Sequence, residues 1–236
     1  MTTLVVGATG NTGRWLVREL LDRDVSVKAI VRSPEKLSEE VSKVSNLSIV
    51  HASILDLDND TLAQYVKGCA AVASRLGHSD IFAPPYKLVT EAVSRLCAAV
   101  KANKPDHMVK FVLLNTVGNS NRDLAEPISF AQRAGLWLVR LLLPPHSDNE
   151  QAAEVLRVQI GQNDPVIEWA VVRPDTLIDA DQVTEYELYP SPIRDWLFNP
   201  GKTSRINVGH FMADLITEPE IWDAWKGQMP AIYNAD

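Results

Sequence analysis

The stretch Leu4–Leu20 constrains the fold of this chain more than any other part of its sequence. The apolar run Leu4-Val5-Val6 leads directly into the glycine-rich turn Gly7-Ala8-Thr9-Gly10-Asn11-Thr12-Gly13, and a helical pattern of apolar residues follows. A strand, a glycine turn and a helix in this order open a βαβ unit that binds dinucleotides. Glycine lets the backbone approach a pyrophosphate, and the N-terminus of the helix presents unpaired N–H groups to it. We therefore predict cofactor contacts from Gly7, Thr9, Gly10, Asn11, Thr12 and Gly13; a glycine turn without a ligand is the alternative.

The end of the second predicted strand indicates which dinucleotide would bind. Ser26–Val31 is apolar and runs into Arg32-Ser33-Pro34. NAD-selective proteins place an acidic residue near this point to bind the ribose 2′-hydroxyl. Arg32 would instead pair with a 2′-phosphate, which predicts NADP(H), unless it is only a solvated cation. Ser33 and Pro34 suit a helix N-cap and first helical position, so we expect a second helix N-terminus to face that phosphate.

Apolar runs alternate with helical patterns along the whole chain, which predicts an α/β, single-domain Rossmann fold with a doubly wound parallel sheet. Further strands are predicted at Leu47–His51, Ala70–Ser74, Val109–Leu114 and Ile167–Val172, and helices at 58–65, 86–104, 148–158 and 207–217. Ligands of such sheets bind outside the carboxyl ends of the strands. Residues 1–174 would therefore form the cofactor-binding core, and residues 175–236 would supply substrate-pocket loops and C-terminal helices.

The same edge of the predicted sheet carries three candidate catalytic side chains, Thr116, His78 and Asp175. Thr116 follows the fifth strand, His78 leaves the fourth, and Asp175 leaves the sixth. Two of them have a structural alternative: His78 as a loop histidine bonded to the backbone, and Asp175 as a turn carboxylate that accepts hydrogen bonds from nearby N–H groups.

Composition excludes several classes of partner. The chain has 236 residues, with 23 basic and 30 acidic side chains and a formal charge of −7, which argues against a nucleic-acid or anionic-membrane surface. No apolar run approaches the roughly 20 residues of a membrane span. Cys69 and Cys97 are typical of reduced, buried cysteines in a cytoplasmic protein. The spacing of candidate ligands predicts no metal site.

Two later segments bear on substrate and partner. Phe130–Leu143 is strongly apolar and suits a core helix, a pocket lid or a subunit contact, which makes a homodimer one expectation. Pro144-Pro145 should end it, and Asp148 with Gln151 resembles a capping box that opens the next helix. The segment 180–204 is predicted to be irregular and is rich in aromatic residues. Such a loop beside a cofactor suits a flat or aromatic small-molecule substrate, although ordinary loop anchoring uses the same residues.

The glycine spacing resembles the G-x-x-G-x-x-G turn of extended and atypical short-chain dehydrogenase/reductases. Within them, GATGNTG is similar to the NmrA-like and NAD(P)H flavin-reductase-like group, which shares the V-R-P-x-x-L pattern at residues 172–177. The resemblance implies an adenine contact near Ser53 and a nicotinamide near the turn after Val172. With the strand-end rule, it adds these expected cofactor contacts: Ser33, Ser53, Ile54, Leu76, Gly77, Asn115, Thr116 and Pro174.

Ordinary members of that superfamily use a Tyr-x-x-x-Lys pair to protonate a carbonyl oxygen. No tyrosine here has a lysine four residues later; the tyrosines are Tyr65, Tyr86, Tyr186, Tyr189 and Tyr233. The resemblance therefore implies an NADPH-dependent reductase that transfers hydride to a flavin, a quinone or a similar flat acceptor. A non-catalytic NADP(H)-binding redox sensor of the NmrA type is the main alternative, and a structural protein without a ligand is the third.

Overall fold

In a computed structural model, which describes residues 1–78, 80, 83–124, 126 and 144–235, strands occupy the predicted apolar runs. The strands are β1 (Thr2–Val6), β2 (Ser26–Val31), β3 (Leu47–His51), β4 (Ala71–Ser74), β5 (Val109–Leu114), β6 (Ile167–Pro174), β7 (Thr176–Ile178), β8 (Tyr186–Tyr189), β9 (Lys202–Ser204) and β10 (Ala231–Asn234). The helices are α1 (Gly13–Asp22), α2 (Glu39–Ser42), α3 (Asn59–Val66), α4 (Leu88–Asn103), α5 (Pro144–Glu154), α6 (Arg205–Thr217) and α7 (Pro219–Trp225).

The main sheet has the strand order β3-β2-β1-β4-β5-β6-β10-β8. The first six of these strands are parallel, and β1 pairs with β2 on one side and with β4 on the other. This is the order of a doubly wound Rossmann sheet, which confirms the predicted fold class. The connection reverses direction at β1, so the loops after β1 and β4 diverge there and leave a crevice at the carboxyl edge.

Both faces of the sheet are buried along its central strands, which explains why β1, β2, β4, β5 and β6 read as apolar runs rather than as alternating patterns. The edge strand β3 is largely exposed. Along β1, Leu4 and Val6 pack into one cluster with α3, α4 and α5, whereas Val5 packs into the opposite cluster with α1 and α6. Phe211 and Ile232 belong to the second cluster, so residues 175–236 complete the same core as the first half of the chain. The chain is therefore a single α/β domain.

The segment 180–204 contains two strands, so the prediction of an irregular loop there is wrong. Strand β8 pairs antiparallel with β10, whose residues lie far along the chain, and β9 pairs in parallel with β7. Short edge strands with partners so distant in sequence leave little local pattern to detect. Phe130–Leu143 lies outside the described residues.

The described part of helix α5 runs from Pro144 and so includes four residues ahead of the predicted start, and it continues as a π-helical turn over Val155–Ile160. The residues directly before Pro144 lie outside the described ranges. Asp148 lies inside the helix, so the predicted capping box is wrong.

Cys69 and Cys97 are free and buried, in agreement with the sequence analysis. Across the part of the chain that the structure describes, no helix has the length and apolar character needed to cross a membrane.

Candidate functional site

A cavity of about 810 Å³ opens at the carboxyl edge of the sheet, where the loops after β1 to β5 meet. The predicted cofactor contacts that line it are Gly7, Thr9, Gly10, Asn11, Arg32, Ser53, Ile54, Leu76, Gly77 and Asn115, and the predicted catalytic residue His78 lies there too. Lining residues that sequence reasoning missed include Lys36, Asp56, Arg75, Asn149 and Leu177. The parallel sheet thus gathers at one edge the residues expected to hold a dinucleotide.

Close packing explains two glycines of the turn. Gly7 has a φ of +81°, and a side chain there would collide with the carbonyl oxygen of Arg75. A side chain at Gly13 would collide with the carbonyl oxygen of Gly7. These glycines therefore let the turn approach the end of β4 and let α1 pack against β1, as in dinucleotide-binding turns.

The remaining glycine of the turn, Gly10, lies against the side chain of Arg75. A Cβ atom added to Gly10 would collide with Nη1 of Arg75, whose guanidinium lies over the turn. The backbone N–H of Arg75 donates to the carbonyl oxygen of Val6 at 3.0 Å, which extends the pairing of β1 with β4. No motif marks Arg75 in the sequence, and only this strand pairing brings it to the turn. Its side chain places a positive charge where a pyrophosphate is expected.

Thr9 and Asn11 line the cavity, but Thr12 does not. Thr12 is completely buried at the N-cap of α1, and its hydroxyl has no hydrogen-bond partner among the residues described. The side chain of Thr12 therefore cannot reach a ligand in the cavity, although it was predicted to contact one.

Two exposed cations, Arg32 and Lys36, lie at the β2 end of the cavity. The carbonyl oxygen of Arg32 is 3.1 Å from Nε2 of His51, which fixes the backbone at the end of β2. Neither Arg32 nor Lys36 forms an ion pair with another residue of the described ranges. A second cation beside Arg32 strengthens the electrostatic attraction of this end of the cavity for a phosphate.

No α-helix begins directly after Ser33 in the described residues, although the sequence predicts a second helix N-terminus there. Pro34–Lys36 forms only a short 3₁₀ turn, and Ser33 makes no capping hydrogen bond from its side chain. The turn ends because Leu37 is extended and buries its side chain. Ser33 does not line the cavity, so no helix dipole of useful length adds to the charge of Arg32.

His78 is held by a buried carboxylate. Its Nε2 lies 2.8 Å from Oδ2 of Asp148, and the two side chains are 5% and 0% exposed. Asp148 also accepts hydrogen bonds from the backbone N–H groups of Val89 and Thr90, at 2.8 and 2.9 Å. Asp148 therefore caps α4, and not its own helix, while it orients the His78 ring. A histidine oriented by a carboxylate can serve as a general acid or base, and the same contact ties the loop to α4.

Asn115 continues the cavity past His78. Its side-chain amide donates to the carbonyl oxygen of Asn149 at 2.8 Å, and both residues line the wall. These contacts join the end of β5 to α5. The Asn115 side-chain oxygen also accepts a hydrogen bond from the Thr116 N–H at 2.9 Å, so both ends of its amide are used to fix this part of the wall.

Three other predicted residues, Thr116, Pro174 and Asp175, do not line this cavity. The Thr116 hydroxyl accepts a hydrogen bond from the Gly118 N–H, and Pro174 is buried. Asp175 accepts hydrogen bonds from the backbone N–H groups of Thr176 and Gly201 at 2.8 and 2.9 Å, and burial raises the pKa of its carboxyl. The structural alternative for Asp175, a turn carboxylate bonded to the backbone, matches this geometry.

The aromatic side chains of segment 180–204 also lie away from the cavity. The Tyr186 hydroxyl donates to Asp214 at 2.9 Å, and burial raises the pKa of that hydroxyl. Trp196 stacks on His146 with ring centroids 6.5 Å apart, and Phe198 is 66% exposed. These contacts match loop anchoring rather than an aromatic pocket.

The cavity is locally basic in an acidic protein. Its described lining contains the cations Arg32, Lys36 and Arg75 but only one carboxylate, Asp56, whereas the whole chain has a formal charge of −7. A cleft lined by one sign of charge concentrates ligands of the opposite sign. The arrangement therefore suits an anionic ligand with phosphates near both the glycine turn and the end of β2.

Comparison with known proteins agrees with this geometry. A family model described as NAD(P)H-binding matches residues 7–219. An uncharacterised chloroplastic protein of Arabidopsis thaliana is 31% identical over 186 residues, which are 74% of this chain and 65% of that protein. Vestitone reductase of Medicago sativa is 27% identical over 123 residues, which are 49% of this chain and 38% of the enzyme. The chain thus spans less than two thirds of the length of these relatives.

Among solved structures, a proposed NADH-flavin reductase of Streptococcus pneumoniae superposes with a TM-score of 0.70. It shares 18% sequence identity, and the match covers 100% of both chains. At this identity the comparison establishes a common fold.

Proposed function

Because the chain belongs to the NAD(P)H-binding family, we propose that it is an NADPH-dependent reductase that transfers hydride to a flavin, a quinone or a similar flat acceptor. The observation that supports this most is the continuous cavity from the glycine turn to Asn115, with Arg32 and Lys36 at one end. The proposal accounts for an oxidoreductase-like fold in a chain that lacks a Tyr-x-x-x-Lys pair.

We infer which residues would hold each part of an NADP(H) molecule from their order along the cavity wall. Gly7, Gly10 and Arg75 would hold the pyrophosphate, and Arg32 and Lys36 would hold the 2′-phosphate. Ser53 and Ile54 would contact the adenine, and Leu76 and Gly77 would contact the ribose and nicotinamide. Ser33, Thr116 and Pro174 are left out of this arrangement because they do not line the cavity.

Charge supports NADPH over NADH. Arg32 and Lys36 are exposed at the cavity wall and lack partner carboxylates in the described ranges. A 2′-phosphate supplies the acceptor oxygens that both cations lack, and charge-assisted hydrogen bonds of this kind contribute roughly 1.5–3 kcal/mol. The ribose of NADH offers only a neutral hydroxyl there.

When it is bound, the nicotinamide ring supplies the hydride, so the protein has to orient the ring and exclude water. Asn149 offers a side-chain amide for orientation, and Leu76 and Leu177 offer apolar contact. Hydride transfer to a flavin or quinone leaves one proton to be added to the acceptor, and this proton comes from water or from His78. His78 suits the second role because Asp148 fixes its ring beside the cavity.

A redox sensor is the second candidate, and one observation favours it. Thr116 and Asp175, which were expected on the acceptor side, both use their oxygens to accept backbone hydrogen bonds. A protein that only binds NADP(H) and reports its redox state to a protein partner needs no acceptor site. The substrate-side role of residues 175–236 therefore stays a prediction.

Oxidation of NADPH by the purified protein separates the two functions. NADPH absorbance is followed with FMN, FAD and a set of quinones, each against a protein-free control. The reductase predicts turnover above background with at least one flat acceptor, and His78→Gln lowers the rate if His78 donates the proton. Saturable NADPH binding without oxidation by any acceptor would favour the sensor.

A further inference from the structure

The guanidinium of Arg75 is a partly buried cation without a counter-charge among the described residues. Its Nε is buried and has no hydrogen-bond partner among the described residues, and no carboxylate of these ranges forms an ion pair with it. Burial lowers the pKa of the guanidinium, and the nearby positive charge of Arg205 lowers it further. Arginine remains protonated in proteins, so this site holds a cation at an electrostatic cost.

Arg205 has a related environment. It is the first residue of α6, which packs closely enough on α1 that a side chain at Gly209 would collide with the backbone of Leu16. Its Nη1 donates to the exposed Asp179 at 3.0 Å, yet its buried Nε has no partner in the described structure. Two arginines, each with an unpartnered buried nitrogen, therefore lie close enough for their charges to repel each other.

Buried cations are normally paired, because an unpaired charge in a poorly hydrated site loses its solvation without compensation. The position of Arg75 indicates which anion would pair with it. Its Nη1 lies against Gly10, in the turn that leads into the N-terminus of α1, and that N-terminus also attracts anions. Gly10 leaves the space that the guanidinium occupies, so the glycine and the arginine form one feature.

We propose that Arg75 is the counter-charge for the pyrophosphate of the bound dinucleotide, with Arg205 as a second and weaker cation. The inference rests on the proposed placement of the cofactor, but it is independent of the hydride acceptor. It assigns the 2′-phosphate and the diphosphate of NADPH to different arginines. Arg32 recognises the 2′-phosphate, which only NADPH has, whereas Arg75 binds the diphosphate that NADPH and NADH share.

Fragments of the cofactor test this assignment by calorimetric titration. ADP-ribose contains the pyrophosphate but no 2′-phosphate, and adenosine 2′-monophosphate contains the 2′-phosphate but no pyrophosphate. Arg75→Met should weaken ADP-ribose and NADPH by about 10- to 100-fold each, the range that a lost charge-assisted bond predicts. It should leave adenosine 2′-monophosphate unchanged, and Arg75→Lys should restore part of the affinity.

Two controls isolate the site from general charge effects. Arg32→Met should weaken NADPH and adenosine 2′-monophosphate but not ADP-ribose, which is the opposite pattern. Arg18→Met removes a cation whose side chain is 61% exposed on α1, and all three affinities should stay close to those of the wild type.

Thermal unfolding distinguishes a ligand-binding arginine from a purely structural one, because loss of a structural arginine would lower the unfolding temperature of the nucleotide-free protein. Without nucleotide, Arg75→Met should unfold at the same temperature as the wild type or higher, because it removes an unpaired buried charge. With saturating NADPH, its gain in unfolding temperature should be smaller.

Unchanged ADP-ribose affinity in folded Arg75→Met would overturn the assignment of Arg75 alone. A large loss of stability without nucleotide, with equal weakening of all three ligands, would make the arginine structural and also overturn it. If the wild-type protein bound neither ADP-ribose nor NADPH, both the assignment of Arg75 and the proposed cofactor placement would be wrong.

Discussion

At the residue scale, we expect Arg32 to decide the choice between the two pyridine dinucleotides. Arg32→Glu replaces an exposed cation of the cavity wall with a negative charge, which would repel the 2′-phosphate. We expect the dissociation constant for NADPH to rise by about 10- to 100-fold or more and that for NADH to change little. Titration of both nucleotides checks this, and an unchanged preference would remove Arg32 from the site.

Gly13 tests the packing of the turn. Gly13→Ala would push a methyl group into the carbonyl oxygen of Gly7, and backbone cannot move away as easily as a flexible side chain. Overpacking of this kind lowers the free energy of unfolding by about 1–3 kcal/mol. Gly77→Ala is the matched control, because the added Cβ would meet nothing within 4 Å. Urea unfolding of both variants should separate them; equal stability would contradict the packing.

Local sequence reasoning named many of the residues that line the cavity, because a glycine turn and strand ends are local features. Arg75 and Lys36 escaped it for different reasons. The side chain of Arg75 reaches the turn only through the pairing of β1 with β4. Lys36 reaches the cavity through a 3₁₀ turn, where a longer helix was expected. Thr12 was overestimated because a motif position does not reveal whether its side chain is buried.

At the scale of elements, Asp148 connects α5 to α4 and to the loop after β4. Asp148→Asn keeps the shape but removes the charge that accepts hydrogen bonds from Val89, Thr90 and His78. Because all three donors lie in a largely buried site, we expect the free energy of unfolding to fall by about 1–3 kcal/mol. The exposed Asp181→Asn should not change it, and similar urea midpoints for both variants would contradict the proposed role.

A second connection joins α6 to β8 and depends on pH. His210 Nδ1 lies 3.1 Å from Asp214 and 3.0 Å from the Tyr186 hydroxyl, and the hydrogen bond with Asp214 raises the pKa of His210. The folded protein therefore binds this proton more tightly than the unfolded chain. The stabilisation is complete below a pH of about 6.5 and is lost as pH rises through the folded-state pKa.

His210→Gln should remove that dependence. Between about pH 6 and pH 8 the free energy of unfolding of the wild type should fall more steeply than that of the variant. The pKa of His107 is also raised, by Asp106, so only the difference between the two proteins reports on His210. Parallel curves would show that the contact with Asp214 contributes nothing.

Elements buried on both sides were predicted well, and elements defined by distant partners were not. Strands β1, β2, β4, β5 and β6 are buried on both faces, and a sequence displays such apolar runs directly. Strand β8 forms because it pairs with β10, and no local sequence pattern predicts it. Asp148 has the residue type of a cap, but the helix that it caps lies some sixty residues away in the chain.

At the scale of the whole molecule, an acidic protein presents a basic cavity at the switch point of its sheet. The formal charge of −7 is spread over the surface, whereas Arg32, Lys36 and Arg75 meet in one crevice. This contrast concentrates phosphate-bearing ligands at the cavity and disfavours polyanions elsewhere. The fold, the charge and the family therefore agree on a dinucleotide as the ligand, and the acceptor is the part that the proposed function adds.

Calorimetric titration of NADPH into the wild-type protein and into Gly10→Val tests the central claim most directly. The account predicts one saturable site in the wild type and none in the folded variant, because the valine side chain would displace the Arg75 guanidinium from the turn and block the approach of the pyrophosphate to the backbone. A wild-type protein that gives no heat with NADPH or NADH would contradict it. So would a Gly10→Val protein that binds NADPH as tightly as the wild type.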